Sequence, residues 1–363
     1  MSSVPQDIKQ DLARRVAHVK CVGIACALPP AVANVTDLSI KFGEESIQKI
    51  INSTGIESRR IVDNECASDL CVAAAERLIE DLGVERASID TLIFVSQTRD
   101  YILPATACSL QARLGLDSST AAFDVGLGCS GYVYGLWLAS SLLGSGSSKR
   151  VLLLVGDTIS KLVAEEDRSV AALFGDAGSA TILDHDPEAP VTPFVLGSDG
   201  RGEKNLIVPG GGFRDRKGLD NSTSEAGVRG PFDLYMNGAE IFAFTLARIP
   251  KLVKALQEAG EEAGYGIDKY VFHQANKFML EHLAKKIRLE PEKVVLNMKD
   301  VGNTSGVSIP LALCLDAGSA NTLSGRYLLA GFGVGYSWAG CVLQLTETWV
   351  SRLVVTNGVG SSN

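Results

Sequence analysis

The chain writes one structural unit twice. The stretch "AAFDVGLGCSGYVYGLWLA" reads as an apolar strand, a glycine turn and an apolar helix, and "KVVLNMKDVGNTSGVSIPLALCLD" repeats that order. A strand follows each copy at nearly the same interval, "KRVLLLVGDT" after the first and "GRYLLAGFGVG" after the second. Upstream, "TLIFVSQT" and "YVFHQAN" hold equivalent places. Duplicated units pack about a pseudo-twofold around a shared core, so their equivalent loops meet. The repeat predicts a first half over 18–190 and a second over 191–350, with 1–17 and 351–363 as terminal extensions. The loops it brings together carry Cys129, His273 and Asn303.

Short strand-like runs alternate with longer helical ones. "HVKCVGIACAL", "TLIFVSQT", "AAFDVG", "RVLLLVGDT", "SATILD", "YVFHQAN", "KVVLNM", "RYLLAGFG" and "AGCVLQLTETWV" read as strands. Several are apolar at nearly every position, which suits strands covered on both faces in an α/β protein. Helices are predicted over 44–53, 67–82, 105–114, 129–143, 238–263, 277–288 and 305–317. Residues 198–232, rich in glycine and charge, read as a long excursion between the halves, either a surface loop or a lid or substrate rim.

Charge and cysteine usage narrow the class. A net charge of −8 offers no basic face for nucleic acid. None of the eight cysteines forms a CxxC pair and most sit in apolar runs, which reads as a reduced, cytoplasmic chain without a disulfide framework. Four unclustered histidines give no zinc-ligand spacing. The polar start "MSSVPQDIKQDLARRVAHVK" lacks a signal-peptide core, and no apolar run reaches the ~20 residues that span a bilayer, so no membrane role is expected.

Cys129 lies between glycines where a strand turns into a helix. A helix start presents free N–H groups and a positive dipole end, both of which favour a thiolate and predict a depressed thiol pKa. Alone, the position suits a small core residue equally well. His273 ends an apolar strand, where a core histidine is common, and Asn303 needs no role beyond capping the next helix. Their convergence is what raises them: a thiol, an imidazole and an amide supply a covalent acceptor and oxyanion donors.

The motifs "DVGLGCSGY", "FHQANK" and "GNTSGVSIPLAL" closely resemble those of the β-ketoacyl-acyl-carrier-protein synthase III family, within the thiolase superfamily. The likeness runs from "HVKCVGIACALPP" to "GYSWAGCVLQL" and takes in "STGIESRRIV", "LPATACSLQARLGL" and "DRSVAALFGDAGSATIL". It implies a thiolase-like α/β fold, with the duplicated halves packed as an α-β-α-β-α layered structure. It implies that Cys129 takes an acyl group from a coenzyme A or carrier-protein thioester. His273 and Asn303 would hold a malonyl thioester during decarboxylative condensation, and the N–H groups of Cys129 and Val334 would form the oxyanion hole. No cofactor is implied, since coenzyme A and phosphopantetheine thioesters are substrates. A homodimer is implied through "YILPATACSLQ", whose Leu103 stands where the family has a pocket-lining Phe.

The departures concern substrate. Lys49 and Ser53 replace a Trp and an Arg of the family's coenzyme A clamp, while Arg168 matches its second Arg. Phe278, beside Lys277, replaces an Arg that grips the carrier protein, and Lys285 and Lys286 remain as candidate carrier contacts. Losing an aromatic stack weakens adenine binding, so a carrier-bound or larger acyl donor is expected over acetyl-CoA. Three other readings compete: acyl transfer to an alcohol or amine, a hydroxymethylglutaryl-CoA synthase, and a non-catalytic partner in a heteromeric synthase. The intact Cys–His–Asn set favours condensation over the first and third. Gln97 and Thr98, where the second would place a Glu base, weigh against it.

Overall fold

The computed structural model describes residues 13–360, so the reading of the first 12 residues as a leaderless start lies outside the described residues. In chain order the strands are β1 (Arg14–Val16), β2 (Val19–Leu28), β3 (Ala31–Asn34), β4 (Ser58–Ile61), β5 (Thr91–Val95), β6 (Ala121–Val125), β7 (Arg150–Asp157), β8 (Ala177–His185), β9 (Thr192–Ser198), β10 (Leu206–Ile207), β11 (Tyr235–Met236), β12 (Lys269–Phe272), β13 (Thr322–Gly333), β14 (Ser337–Val350) and β15 (Val354–Val355). The helices are α1 (Ser39–Phe42), α2 (Glu44–Thr54), α3 (Ala67–Leu82), α4 (Thr106–Arg113), α5 (Gly131–Gly144), α6 (Gly238–Glu262), α7 (Lys277–Lys286) and α8 (Ser308–Ala317).

The strand pairings repeat as the sequence does. In the first set β5 runs parallel to both β6 and β7, β7 pairs antiparallel with β8, and β8 antiparallel with β2. In the second, β12 runs parallel to β13, β13 pairs antiparallel with β14, and β14 antiparallel with β9. The end of β14 joins the sets, with Trp349 and Val350 pairing parallel with Gly23 and Ile24.

Helices α5 and α8 explain the layering. Both are apolar nearly all round, and such helices are stable only when covered on every side. Helix α5 packs on β5, β7 and β8 of one set and on β13 and β14 of the other; α8 packs on β2 and on β12 and β13. They form the middle layer. Helices α3 and α4 cover the outer face of the first set, and α6 covers that of the second, with α7 packed on α6.

Some elements depart from the sequence reading. "KVVLNM" is not a strand: it touches β12 only through a single Tyr270–Val294 bridge. The Gln274 side chain replaces the ladder there, donating to the Val295 carbonyl at 3.2 Å and accepting from the Asn297 N–H at 2.8 Å. Strand β9 is absent from the expected set, because "TPFVLGS" carries Pro193 and a closing Gly-Ser that read as loop, yet it lies between β14 and β1. Parts of both presumed extensions are in the sheet: β1 pairs with β9 and β15 with β2. Helix α5 begins at Gly131, so Cys129 precedes the helix rather than opening it. The expected helix over 305–317 starts as a 3-10 turn, Ser305–Val307, because Ser305 has φ 51°. Among the described residues no helix is long and apolar enough to cross a membrane.

Gly178 tests this packing. A Cβ there would lie 2.5 Å from backbone atoms of Leu70 and Cys71 in α3, whereas one on Gly212 would meet nothing within 4 Å. Gly178→Ala is expected to lower stability by about 1–3 kcal/mol, and Gly212→Ala by less than about 0.5 kcal/mol, in parallel denaturant titrations.

Candidate active site

Cys129 follows the glycine turn after β6 and is 6% exposed. Strand β13 lies directly against it, which requires two glycines. A Cβ on Gly331 would come 2.6 Å from the Cys129 carbonyl oxygen, and one on Gly333 2.9 Å from its sulfur. This contact brings the backbone N–H of Val334 to the sulfur, together with the N–H of Cys129 itself and the Ser305 hydroxyl.

His273 immediately follows β12, and its N–H continues the ladder to the Ala330 carbonyl at 2.8 Å. Its ring packs edge-on against Phe332, and Nδ1 is 2.7 Å from Ser308 Oγ. Nε2 is the nitrogen that Ser308 does not engage. Asn303 is anchored by its backbone to Leu173 and Gly175 at 2.9 and 3.1 Å. Its Oδ1 accepts from the Ser305 N–H at 3.0 Å, so the amide NH2 is the part of the side chain that remains to donate.

The Ser305 turn is the meeting point that sequence reasoning missed. Its N–H bonds Asn303, its hydroxyl faces the Cys129 sulfur, and its backbone bonds the His273 ring. Ser305 makes these contacts from the αL region, φ 51°, and a serine there gives no special signal in a sequence.

Burial dominates the electrostatics. It pushes the Cys129 thiol up to about 11, aided by the Asp157 carboxylate and opposed by the Val334 N–H, the Ser305 hydroxyl and the Cys129 N–H. The expected depressed thiol pKa is therefore corrected: the sulfur loses water, and its place before the helix does not offset that loss. Burial also lowers His273 from 6.5 to about 4, against a bond to the Ser305 backbone. At neutral pH both groups rest uncharged.

A cavity of about 200 Å³ opens beside the sulfur. Cys129, Gln97, Ser305 and Val334 line one side; Ile159, Leu162, Phe174 and Leu234 line the rest, with Leu206, Ile207 and Val208 from the 198–232 excursion. A separate groove of about 770 Å³ gathers Lys49, Ser53 and Arg168 with Glu45, Ser46 and Asn276. Lys49 is paired with Glu45 at 2.7 Å, and Arg168 reaches Ser46 at 3.4 Å.

The other expected contacts lie apart. Leu103 is 78% exposed beside the exposed Tyr101 and Ile102, and it does not line the Cys129 cavity. Lys277 borders another groove with Gly55 and Lys299. Phe278 stacks on Phe242 at 5.7 Å and lies 4.1 Å from the His282 ring. Lys285 and Lys286 are exposed in the last turn of α7, about 12 Å along the helix from Lys277. Among the described residues no group of three or more His, Cys, Asp or Glu side chains is placed to hold a metal ion.

Residues 123–200 match the family described as 3-oxoacyl-[acyl-carrier-protein (ACP)] synthase III, and residues 257–345 match its C-terminal part. The chain is 36% identical over 335 residues to a β-ketoacyl-[acyl-carrier-protein] synthase III of Roseiflexus sp. (strain RS-1), covering 91% of this chain and 99% of that protein. It is 34% identical over 325 residues to one of Campylobacter curvus, covering 89% of this chain and 96% of that protein. Among solved structures, a 3-oxoacyl-(acyl-carrier protein) synthase from Burkholderia xenovorans LB400 superposes with a TM-score of 0.89 at 41% identity, covering 95% of this chain and 99% of that one.

The buried imidazole makes stability pH-dependent. A histidine whose folded pKa is depressed contributes stability that is present above its unfolded value near 6.5 and lost as pH falls through the folded value near 4. The interval corresponds to roughly 3 kcal/mol. Denaturant unfolding between pH 7 and pH 4 is expected to show a loss in the wild type that exceeds the loss in His273→Asn by about that amount.

Proposed function

The chain belongs to the 3-oxoacyl-ACP synthase III family, and we propose that Cys129, His273 and Asn303 carry its two chemical steps. It is an acyltransferase of the condensing type. In the first step Cys129 attacks a coenzyme A or carrier-protein thioester: the new C–S bond forms on Cys129 and the donor leaves as a thiol. In the second, the carbonyl of a malonyl thioester accepts from His273 Nε2–H and the Asn303 NH2. Carbon dioxide leaves, and the enolate attacks acyl-Cys129. The oxyanion of that adduct accepts from the N–H groups of Cys129 and Val334, and a 3-oxoacyl thioester departs.

The observation that carries this reading is the convergence on the Ser305 turn. An uncharged imidazole and an amide, each with its other polar atom engaged, share with a thiol the Ser305 turn, and the thiol has backbone donors of its own. Two donors fixed before the charge develops stabilise it without reorganisation. Transfer to an alcohol or amine needs no enolate and would leave this pair without a task.

The donor is read as larger than acetyl. An acetyl group fills roughly one or two water volumes, about 30–60 Å³, and the apolar cavity beside Cys129 holds about 200 Å³. Lys49 is engaged by Glu45 and Ser53 is small, so the groove offers coenzyme A little beyond Arg168. The exposed Phe278 and the Lys277, Lys285 and Lys286 side chains on α7 support docking of an acidic carrier protein. The exposed Tyr101, Ile102 and Leu103, with Phe123 on β6, support a homodimer. The thioester substrates and the eight free cysteines support a cytoplasmic setting.

Intact-protein mass spectrometry after incubation with acyl-CoA and acyl-carrier donors of graded length tests both parts. The wild type is expected to gain one acyl group, Cys129→Ser none, and medium-chain or carrier-bound donors are expected to load faster than acetyl-CoA. A tenfold preference for acetyl-CoA would overturn the donor reading. Separately, His273→Ala and Asn303→Ala are expected to slow malonyl-thioester decarboxylation by about 10²–10³ with a smaller effect on acylation. Normal decarboxylation in both would move the assignment to heteroatom transfer.

A further inference from the structure

Asp157 ends β7 fully buried, and neither chemical step above uses it. Its Oδ1 accepts from the Gln97 N–H at 2.8 Å and from the Ser96 and Thr98 hydroxyls at 3.3 and 3.4 Å. Its Oδ2 faces the Ser305 turn, where the Gly306 N–H lies at 3.5 Å. The Ser305 hydroxyl contacts this carboxylate as well as the Cys129 sulfur. One hydroxyl thus stands between a buried carboxylate and a buried thiol.

The hydroxyl is held for that purpose. Gln97 Nε2 donates to Ser305 Oγ at 3.2 Å, and the Gln97 amide packs so closely on Gly128 that a Cβ there would overlap it. A serine hydroxyl has two acceptor sites and one proton. With Gln97 on one site, the other is open to the thiol S–H, and the single hydroxyl proton, which can donate to the sulfur or to Asp157, then goes to Asp157.

We propose that Asp157 accepts the Cys129 proton through Ser305 as the acyl group is transferred. The S–H bond breaks as an O–H bond forms on Ser305 Oγ, while the original Ser305 O–H breaks and an O–H forms on Asp157. The Cys129 sulfur bonds the acyl carbon, the donor's C–S bond breaks, and the departing thiolate takes a proton from water. When Cys129 leaves the condensation adduct as a thiolate, the same path returns its proton from Asp157. The cycle consumes one proton, as a decarboxylative condensation requires.

The thiol needs such an acceptor because burial holds it protonated at neutral pH. His273 Nδ1 is taken by Ser308. Asp157 is a charged group that acts on Cys129, and Cys71 of α3 is a second thiol facing Asp157. Burial raises the Asp157 carboxyl, which makes it a better resting place for a proton than an exposed aspartate.

This inference rests on the acylation of Cys129 proposed above, and the experiment separates the two. Single-turnover acylation would be followed by mass spectrometry from pH 6 to pH 10 for the wild type, Asp157→Asn and Ser305→Ala, alongside malonyl-thioester decarboxylation. Both variants are expected to acylate about 10²–10⁴ slower at pH 7 and to gain about tenfold per pH unit, where the wild type is nearly flat. The ratio of decarboxylation to acylation should rise at least tenfold in each. Acylation within threefold of wild type with the same pH dependence overturns the relay, as does an equal loss of both half-reactions. If Asp157→Asn does not fold, Ser305→Ala decides alone by the same criteria. A wild type that takes no acyl group on Cys129 instead removes the premise and the relay with it.

Discussion

Two helices that are apolar on nearly every face must be covered on every side, and that requirement organises the molecule. Gly131–Gly144 and Ser308–Ala317 satisfy it by lying between two sets of strands. Each is entered by a tight turn, and the turns carry Cys129 and Asn303–Ser305. Strand Thr322–Gly333 then presses its glycines against Cys129, which places the Val334 N–H on the sulfur. The site is therefore set by packing of the middle layer, and its polar groups inherit their positions from apolar burial.

The same burial sets the chemistry. It keeps the thiol and the imidazole uncharged, with values near 11 and 4, so neither is activated by simple ionisation at rest. Such a site holds its charges in reserve. The N–H groups of Val334 and Cys129 lie at the sulfur, and the imidazole and the amide share the Ser305 turn, so donors are in place before any negative charge develops. Fixed donors in a dry site stabilise that charge more than water would. A thiol that stays protonated between turnovers is also less open to alkylation and oxidation.

Much of this was legible in the sequence, for identifiable reasons. The repeated strand–turn–helix unit predicted the paired strand sets, because apolar runs and glycine turns report burial directly. Cys129 and His273 stood out as reactive residue types just after strands, and Asn303 through the turn motif that carries it. What escaped notice depends on contacts rather than residue type. Ser305 matters through its φ of 51°, Gln274 through a side chain that replaces a ladder, and Asp157 through the donors around it. The thiol pKa was misread because a helix start is visible in sequence and the depth of burial is not. Leu103 was read as a pocket residue from the resemblance alone, and in this chain it is 78% exposed.

The central claim is that an acyl group rests on Cys129 and is displaced by a carbon nucleophile made through loss of carbon dioxide. Rapid-quench analysis of preformed acyl-enzyme mixed with malonyl thioester labelled in its free carboxyl tests it directly. The account predicts that acyl-Cys129 decays at the rate at which 3-oxoacyl thioester appears, with one labelled carbon dioxide released per product. Product that keeps the label, or acyl-Cys129 that decays to an ester or amide without release of carbon dioxide, would contradict it.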